Sequence, residues 1–329
     1  MGMKGFIYRQ PTTVEEAVSS LEEFKTTARL KAGGTDLLVR MKKEMVSPKC
    51  LINLINIADL NYINYCPEAG LKIGALTTLS EIENSMIVRD RFGVLWKAVS
   101  RVASPQIRNR ATLGGNICLD SRCQYYNQSK QWLSSLEPCY KRKGNRCHLS
   151  RDGDRCSSVF SADTVPALIA LGAKIRLLNF ERERTVLLEE FYTGAGMKVN
   201  RMRPNEMLTE VQIPEMEERT SGVYLKVSER DEVDFPILGA AILVFSNGEG
   251  IAKKVSIVII GIQSGPIRLS KVEEMLVGEK LESGNVQEVC RHIPDMIPAI
   301  SNALGLAGYK RRILPSLVAQ GLMDATASR

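Results

Sequence analysis

Apolar and polar positions follow two rhythms along this chain, and the switch between them marks a division. Near the start, Ala17, Val18, Leu21 and Phe24 recur at helical spacing behind Thr13 and Glu16, which read as a capping box. A short strand over residues 28–31 runs into Ala32-Gly33-Gly34-Thr35-Asp36, and residues 37–43 are helical again. Strands are predicted at 50–57 and 71–76, and Thr78 with Glu81 repeats the capping box. Over residues 88–102, Val94, Leu95, Ala98 and Val102 share one helical face, which Pro105 ends. A glycine turn at 111–116 follows, then a polar segment. After it come a helix over 164–171, with Asp163 as N-cap and Pro166 in its first turn, and strands at 174–178 and 185–188.

Near residues 207–214 the texture changes. Residues 222–228, 237–245 and 254–262 form longer apolar runs separated by polar turns, one of them Asn247-Gly248, as expected of an antiparallel sheet. Helices at 272–277 and 286–292 and a helical stretch from 300 to about 323, interrupted at Pro315, close the chain. A domain boundary is placed near residue 215.

Composition changes this picture little until it is read locally. With 44% hydrophobic and 25% charged residues, the 329-residue chain has ordinary globular values and room for two or three units. Its longest apolar run, residues 235–245, is shorter than the roughly 20 residues that cross a bilayer. The first six residues carry neither a signal-peptide core nor a myristoylation pattern, so a cytoplasmic location without membrane contact is expected. The net charge of +7 is mild, and no recognition-helix pattern or aromatic-interleaved basic strand points to nucleic acid. Between residues 119 and 159, however, eight positive and four negative side chains leave +4 on about an eighth of the chain.

That same segment holds Cys123, Cys139, Cys147 and Cys156. In a cytoplasmic protein, disulfides are not expected. The other four cysteines, Cys50, Cys66, Cys118 and Cys290, lie in or beside apolar runs and are expected as small core residues. The C-x15-C-x7-C-x8-C spacing lacks the C-x2-C knuckle of zinc ribbons and the compact ferredoxin run. Spacing alone leaves a metal site and four incidental thiols equally open.

Elsewhere, several familiar chemistries are missing. Gly194-Ala195-Gly196 lacks the third glycine of a nicotinamide fingerprint, there is no P-loop, and two histidines give little material for a triad or a histidine metal site. Two glycine pairs remain, Gly33-Gly34 and Gly114-Gly115, each bordered by a threonine, Thr35 and Thr112. Turns of this kind bring main-chain N–H groups close to phosphate oxygens, and two of them can hold the two phosphates of a dinucleotide without a Rossmann fold.

On these residues the chain resembles the FAD-binding medium subunits of the molybdenum hydroxylases, the xanthine dehydrogenase and carbon monoxide dehydrogenase group. Ala32-Gly33-Gly34-Thr35-Asp36 resembles their first pyrophosphate loop and Ala111-Thr112-Leu113-Gly114-Gly115-Asn116-Ile117 their second. Ala162-Asp163-Thr164 resembles the segment whose aspartate meets the ribose–adenine part of FAD. Tyr224-Leu225-Lys226 with Arg230 resembles the strand whose lysine lies near the flavin pyrimidine edge, and residues 309–314 resemble the closing helix. The implied fold is α+β: a two-subdomain, non-Rossmann PCMH-type FAD-binding domain over 1–215, split near 57, then a C-terminal antiparallel sheet with helices over 216–329. The implied cofactor ligands are Ala32, Gly33, Gly34, Thr35, Asp36, Thr112, Gly114, Gly115, Asn116, Asp163 and Lys226.

The segment at about 119–159 departs from the family pattern. An insertion with four cysteines resembles the beta subunit of the 4-hydroxybenzoyl-CoA reductase branch, which implies a [4Fe-4S] cluster on Cys123, Cys139, Cys147 and Cys156. The resemblance further implies a large molybdenum-cofactor subunit and a small [2Fe-2S] subunit as partners, assembled as a dimer of heterotrimers. Electrons would pass from a ferredoxin-like donor through cluster and FAD towards molybdenum, with no substrate chemistry and no catalytic acid or base on this chain. The basic segment is a candidate docking face for that donor. Two rivals are carried: a purine- or aldehyde-type dehydrogenase subunit passing electrons outward to NAD, and a zinc-stabilised interaction module.

Overall fold

Three sheets carry the chain in the computed structural model, which describes residues 3–150, 154–230, 232–247, 249–301 and 305–327. The first is parallel, with β1 (Ile7–Arg9), β2 (Ala28–Lys31) and β3 (Cys50–Asn53) in the order β1-β3-β2. β1 and β2 run parallel on either side of β3, and the amphipathic helix Val14–Phe24 makes the crossover between them, burying Ala17, Val18 and Leu21 in one core with Cys50 and Ile52. Thr13 caps that helix by accepting from the Glu16 N–H at 3.2 Å, while the Glu16 carboxylate bonds Thr12 instead of closing the box. At Thr78 and Glu81 both halves of the box are present.

The second sheet is antiparallel. It contains β4 (Ile63–Cys66), β5 (Gly70–Gly74), β6 (Lys174–Leu178), β7 (Glu183–Leu187) and β8 (Met207–Ile213), in the order β4-β5-β8-β6-β7. Its central strand, β8, is the stretch that the sequence pattern marked only as a change of texture. Buried Thr209 and Glu210 hide its alternation, Glu210 being bonded by the Tyr62 hydroxyl and by Gln212. The helix expected over 88–102 is two, Met86–Arg91 and Gly93–Ser100, broken at fully buried Phe92. Pro105 does not end a helix but opens the next, Pro105–Arg108, where a missing N–H costs nothing.

The third sheet runs β12-β11-β10-β9, all antiparallel, from β9 (Thr220–Val227), β10 (Leu238–Ser246), β11 (Ala252–Ile260) and β12 (Ile267–Arg268). Ala241 and Leu243 of β10 join the core of the second sheet's helices, and Ala240, Ile242 and Val244 join the core beneath the closing helix Ala307–Ala327. Both faces of β10 are covered, which is why its sequence reads as a continuous apolar run. The closing helix passes through Pro315 unbroken and begins later than residue 300. Gly248 of the expected Asn247-Gly248 turn lies outside the described residues, as do Arg151 and Asp152 of the basic segment.

Candidate functional site

The Gly33-Gly34 turn leaves β2 with Gly34 at φ +77°, a conformation open to glycine at little cost. A Cβ on Gly33 would lie 1.8 Å from the Arg110 carbonyl oxygen, so only hydrogen fits where this turn meets the chain leading into the second glycine pair. Among the described residues, the main-chain N–H groups of Gly33, Gly34, Thr35 and Asp36 donate to no protein acceptor. All four residues are half-buried. Consecutive N–H groups without partners form an anion-binding concavity. Two cations stand by it that the sequence reading missed. Lys31, bonded to Asn53 Oδ1 at 2.9 Å, has its pKa lowered by burial and then by neighbouring Arg110. The steric gap at Gly33, the unpaired donors and the positive surroundings fit a phosphate-bearing cofactor.

The second glycine pair is built differently. Residues 111–117 are not an open turn: Leu113–Ile117 is a short helix with Thr112 as N-cap. Its N–H groups are spent inside the protein, Leu113 on the Thr77 carbonyl at 3.0 Å, Gly114 on Ala75 at 2.9 Å and Gly115 on Thr112 Oγ1 at 3.2 Å. Gly114 is there for closeness, since a Cβ would stand 2.8 Å from the Ala75 carbonyl oxygen. Gly115 is exposed, and Asn116 Oδ1 accepts from Thr164 Oγ1 at 2.7 Å.

Asp163 precedes the helix Thr164–Ala170 but makes no capping bond. Its carboxylate turns instead to the third sheet, accepting from Tyr224 Oη at 2.7 Å and lying 3.2 Å from Lys226 Nζ, with the pair's side chains 5% and 2% exposed. Lys226 also donates to the Arg101 carbonyl at 2.7 Å. Burial raises the Asp163 pKa more than Lys226 and Tyr224 lower it. The structure therefore brings Asp163 and Lys226 together as a buried bridge between the N-terminal part and β9. Arg230 is elsewhere, paired with Asp234 at the surface.

The inserted lobe hangs from a neck where Arg122 and Val159 exchange main-chain hydrogen bonds of 2.7 and 2.8 Å. Within it, Cys123, Cys139, Cys147 and Cys156 all line one cavity. Burial raises the Cys123 pKa, and the neighbouring Cys156 and Cys139 raise it further. At Cys147 burial is outweighed by main-chain N–H groups of Ser157, Ser150 and Leu149, and the thiol is lowered. Four thiols facing one space are a donor set for a thiolate-bound metal centre. Among the described residues no three His, Cys, Asp or Glu side chains stand close enough to share one metal ion. A tetrahedral zinc site would need sulfurs about 3.8 Å apart, given arms of roughly 2.3 Å.

Three of the lobe's basic side chains, Lys141, Arg142 and Arg122, are spent on partners within the protein. Lys141, 4% exposed, lines the cavity and donates to Asp120, Ser121 and the Gly196 carbonyl. Arg142 donates to the carbonyls of Leu133 and Leu136, and Arg122 bonds Asp36 Oδ1 at 2.6 Å while its guanidinium lies 4.6 Å from the Phe235 ring centre. Lys130, Lys143, Arg146 and Arg155 remain exposed. Tyr125 lines the cavity and packs against His148 and Trp132 at 5.4 and 6.1 Å. Gly196, which has no part in a nicotinamide fingerprint, seats the lobe: a Cβ there would lie 2.8 Å from Cys156 Sγ. Of the other cysteines, Cys50 and Cys290 are buried, Cys118 is half-buried, and Cys66, against expectation, is exposed and donates to Glu68. Burial pushes the Cys118 and Cys290 thiols up to about 12.

Comparison with known proteins gives two family matches, "FAD binding domain in molybdopterin dehydrogenase" over residues 3–216 and "CO dehydrogenase flavoprotein C-terminal domain" over 223–325. The chain is 26% identical over 324 residues to the nicotinate dehydrogenase FAD-subunit of Eubacterium barkeri, covering 98% of this chain and 96% of that one. It is 29% identical over 291 residues to the aldehyde oxidoreductase FAD-binding subunit PaoB of Escherichia coli K12, covering 83% and 86%. Among solved structures, a carbon monoxide dehydrogenase chain from Hydrogenophaga pseudoflava superposes with a TM-score of 0.81 at 25% identity over 99% of both chains.

Proposed function

Because the chain belongs to the FAD-binding family of molybdopterin dehydrogenases, with the fold of the carbon monoxide dehydrogenase flavoprotein chains, we propose that it is the FAD and [4Fe-4S] electron-transfer subunit of a molybdenum-dependent oxidoreductase of the 4-hydroxybenzoyl-CoA reductase type. Its domains are 1–215 and 216–329, with the lobe at about 119–159 inserted in the first. A ferredoxin-like protein donates electrons, and a molybdenum large subunit and a [2Fe-2S] small subunit receive them in a dimer of heterotrimers. One observation carries the reading. Arg122, next to cavity-lining Cys123, is bonded at 2.6 Å to Asp36 of the glycine turn, so the thiol cavity and the phosphate-fitting turn are neighbours joined through an ion pair.

The N–H groups of Gly33, Gly34, Thr35 and Asp36 hold the pyrophosphate, with Ala32 shaping the turn. Thr112, Gly114, Gly115 and Asn116 form the opposing wall, and Asp163 and Lys226 fix the C-terminal sheet beside it. Bound flavin supplies the exchange between two-electron and one-electron chemistry, and a bound cluster supplies a one-electron site. Cys123, Cys139, Cys147 and Cys156 ligate the cluster. That all four thiols line one cavity supports a shared centre there, and iron and zinc analysis separates a cluster from a zinc-stabilised module. No side chain acts as a general acid or base.

A second reading has support in the names of the relatives, several of which are dehydrogenases. In it, the same subunit sends electrons outward to NAD. Anaerobic rapid mixing separates the two. Flavin bleaching by reduced ferredoxin, slowed at least about tenfold in Cys139→Ser, supports the reductase reading. Bleaching by NADH alone, unaffected by Cys139→Ser, contradicts it.

A further inference from the structure

Lys141 lies two residues from Cys139 in a hydrophilic stretch, yet it is among the more deeply buried charged side chains of the molecule. Its Nζ is 2.7 Å from Asp120 Oδ1, 2.7 Å from Ser121 Oγ and 2.8 Å from the Gly196 carbonyl oxygen, with the Tyr126 ring centre at 5.3 Å. Asp120 is held in turn by Arg40 at 3.0 Å. Lys141 lines the four-cysteine cavity and Asp120 does not, so the lysine is the member of this pair that borders the thiols. Of the other cations there, Arg146 also lines the cavity, but it is 55% exposed and paired with Glu137 at 2.5 Å. Lys143, two positions on, is exposed.

We infer that Lys141 is a positioning residue that sets the reduction potential of the centre held by the four cysteines, with Asp120 as its opposing partner. This rests on the reading of those cysteines as cluster ligands. The reduced centre carries one more negative charge than the oxidised one, so a fixed cation beside it favours reduction. A buried charge is little screened by salt, whereas a solvated one is screened within a Debye length of about 8 Å. Lys141 thus raises the potential, Asp120 moderates that rise, and Lys143 contributes nothing measurable. A purely bracing role makes a different claim. Lys141 and Asp120 would then be equivalent ends of one strut, and their loss would act in the same direction.

The test is a mediated titration followed by electron paramagnetic resonance on the anaerobic complex, in which a reduced viologen delivers one electron to each centre. Lys141→Met is expected to disfavour reduction at least tenfold, a fall of about 59 mV for a one-electron couple. Asp120→Asn, which leaves both Lys141 and Arg40 less neutralised, is expected to shift the midpoint upward, and Lys143→Met to stay within twofold of wild type. Shifts of the same sign in Lys141→Met and Asp120→Asn, no shift in either, or an equal shift in Lys143→Met would overturn the inference. So would loss of iron from both variants with flavin retained, because the pair would then only brace the lobe. Wild-type protein with flavin and no iron would instead remove the four-cysteine reading itself, and this inference with it.

Discussion

The glycine turn at residues 33–36 and the cysteine lobe at 119–159 lie side by side but are made from opposite parts of the chain's chemistry. The turn works through the main chain: its donors are N–H groups, and its one steric requirement is the missing Cβ of Gly33 against the Arg110 carbonyl. The lobe works through side chains. Among its described residues it has little regular structure beyond the helix Lys130–Ser134 and one 3-10 turn, Tyr140–Arg142. Its shape comes from ion pairs and hydrogen bonds reaching outward, Arg122 to Asp36, Lys141 to Asp120 and Gly196, and Ser264 Oγ to the Ser158 carbonyl at 2.6 Å. A main-chain site tolerates side-chain change wherever glycine is not demanded. A side-chain site fails at single atoms.

The sharpest way to break this comparison is Cys139→Ser. It should abolish the iron signal while FAD stays bound, measured as iron and flavin per chain. Gly33→Ala is the reciprocal experiment: a Cβ 1.8 Å from a backbone oxygen forces the turn open. FAD affinity should fall about a hundredfold, roughly 3 kcal/mol, with the iron content kept. Flavin titration with iron analysis reads both. Gly196→Ala probes the seat of the lobe, where the new carbon would meet Cys156 Sγ at 2.8 Å and Ser158 Oγ at 2.4 Å. It should cost about 1–3 kcal/mol in denaturant unfolding and hasten iron release to a chelator. The smallest effect concerns Lys310, whose Nζ donates to the Gly261 carbonyl at 2.7 Å behind the lobe's root, since Gly261 N–H bonds Phe160. Burial lowers the Lys310 pKa to about 8. The unfolded chain holds this proton up to its ordinary value near 10.5, so between those values the unfolded state binds more protons and stability rises with pH. Chemical denaturation from pH 7 to 10 should show that rise in wild type relative to Lys310→Met.

Sequence made the two sites unequally legible. Gly33-Gly34 between a strand and a helix is a local pattern, and the structure has the strand, the turn and the helix in that order. Gly114-Gly115 looked alike, yet its N–H groups go to Ala75 and Thr112, and the Ala75 carbonyl arrives from a distant turn that no local pattern announces. Four cysteines in one polar stretch were conspicuous. What could not be read was which way their neighbours face. Lys141 turns inward because the Gly196 carbonyl, far along the chain, waits for it, whereas Lys143 with the same composition around it stays in water. Asp163 shows the same limit, since its helix-start position suggested a cap and its bonds run to Tyr224 and Lys226 of another sheet. In the third sheet, hydrophobicity alone was enough to mark β9, β10 and β11, but not the two-residue β12.

The most direct test of the central claim is elemental and flavin analysis of the complex purified without oxygen, with the partner subunits' own metal subtracted. The account expects one FAD and about four iron and four acid-labile sulfides on this chain. One zinc in place of the iron, or a chain without flavin, would contradict it.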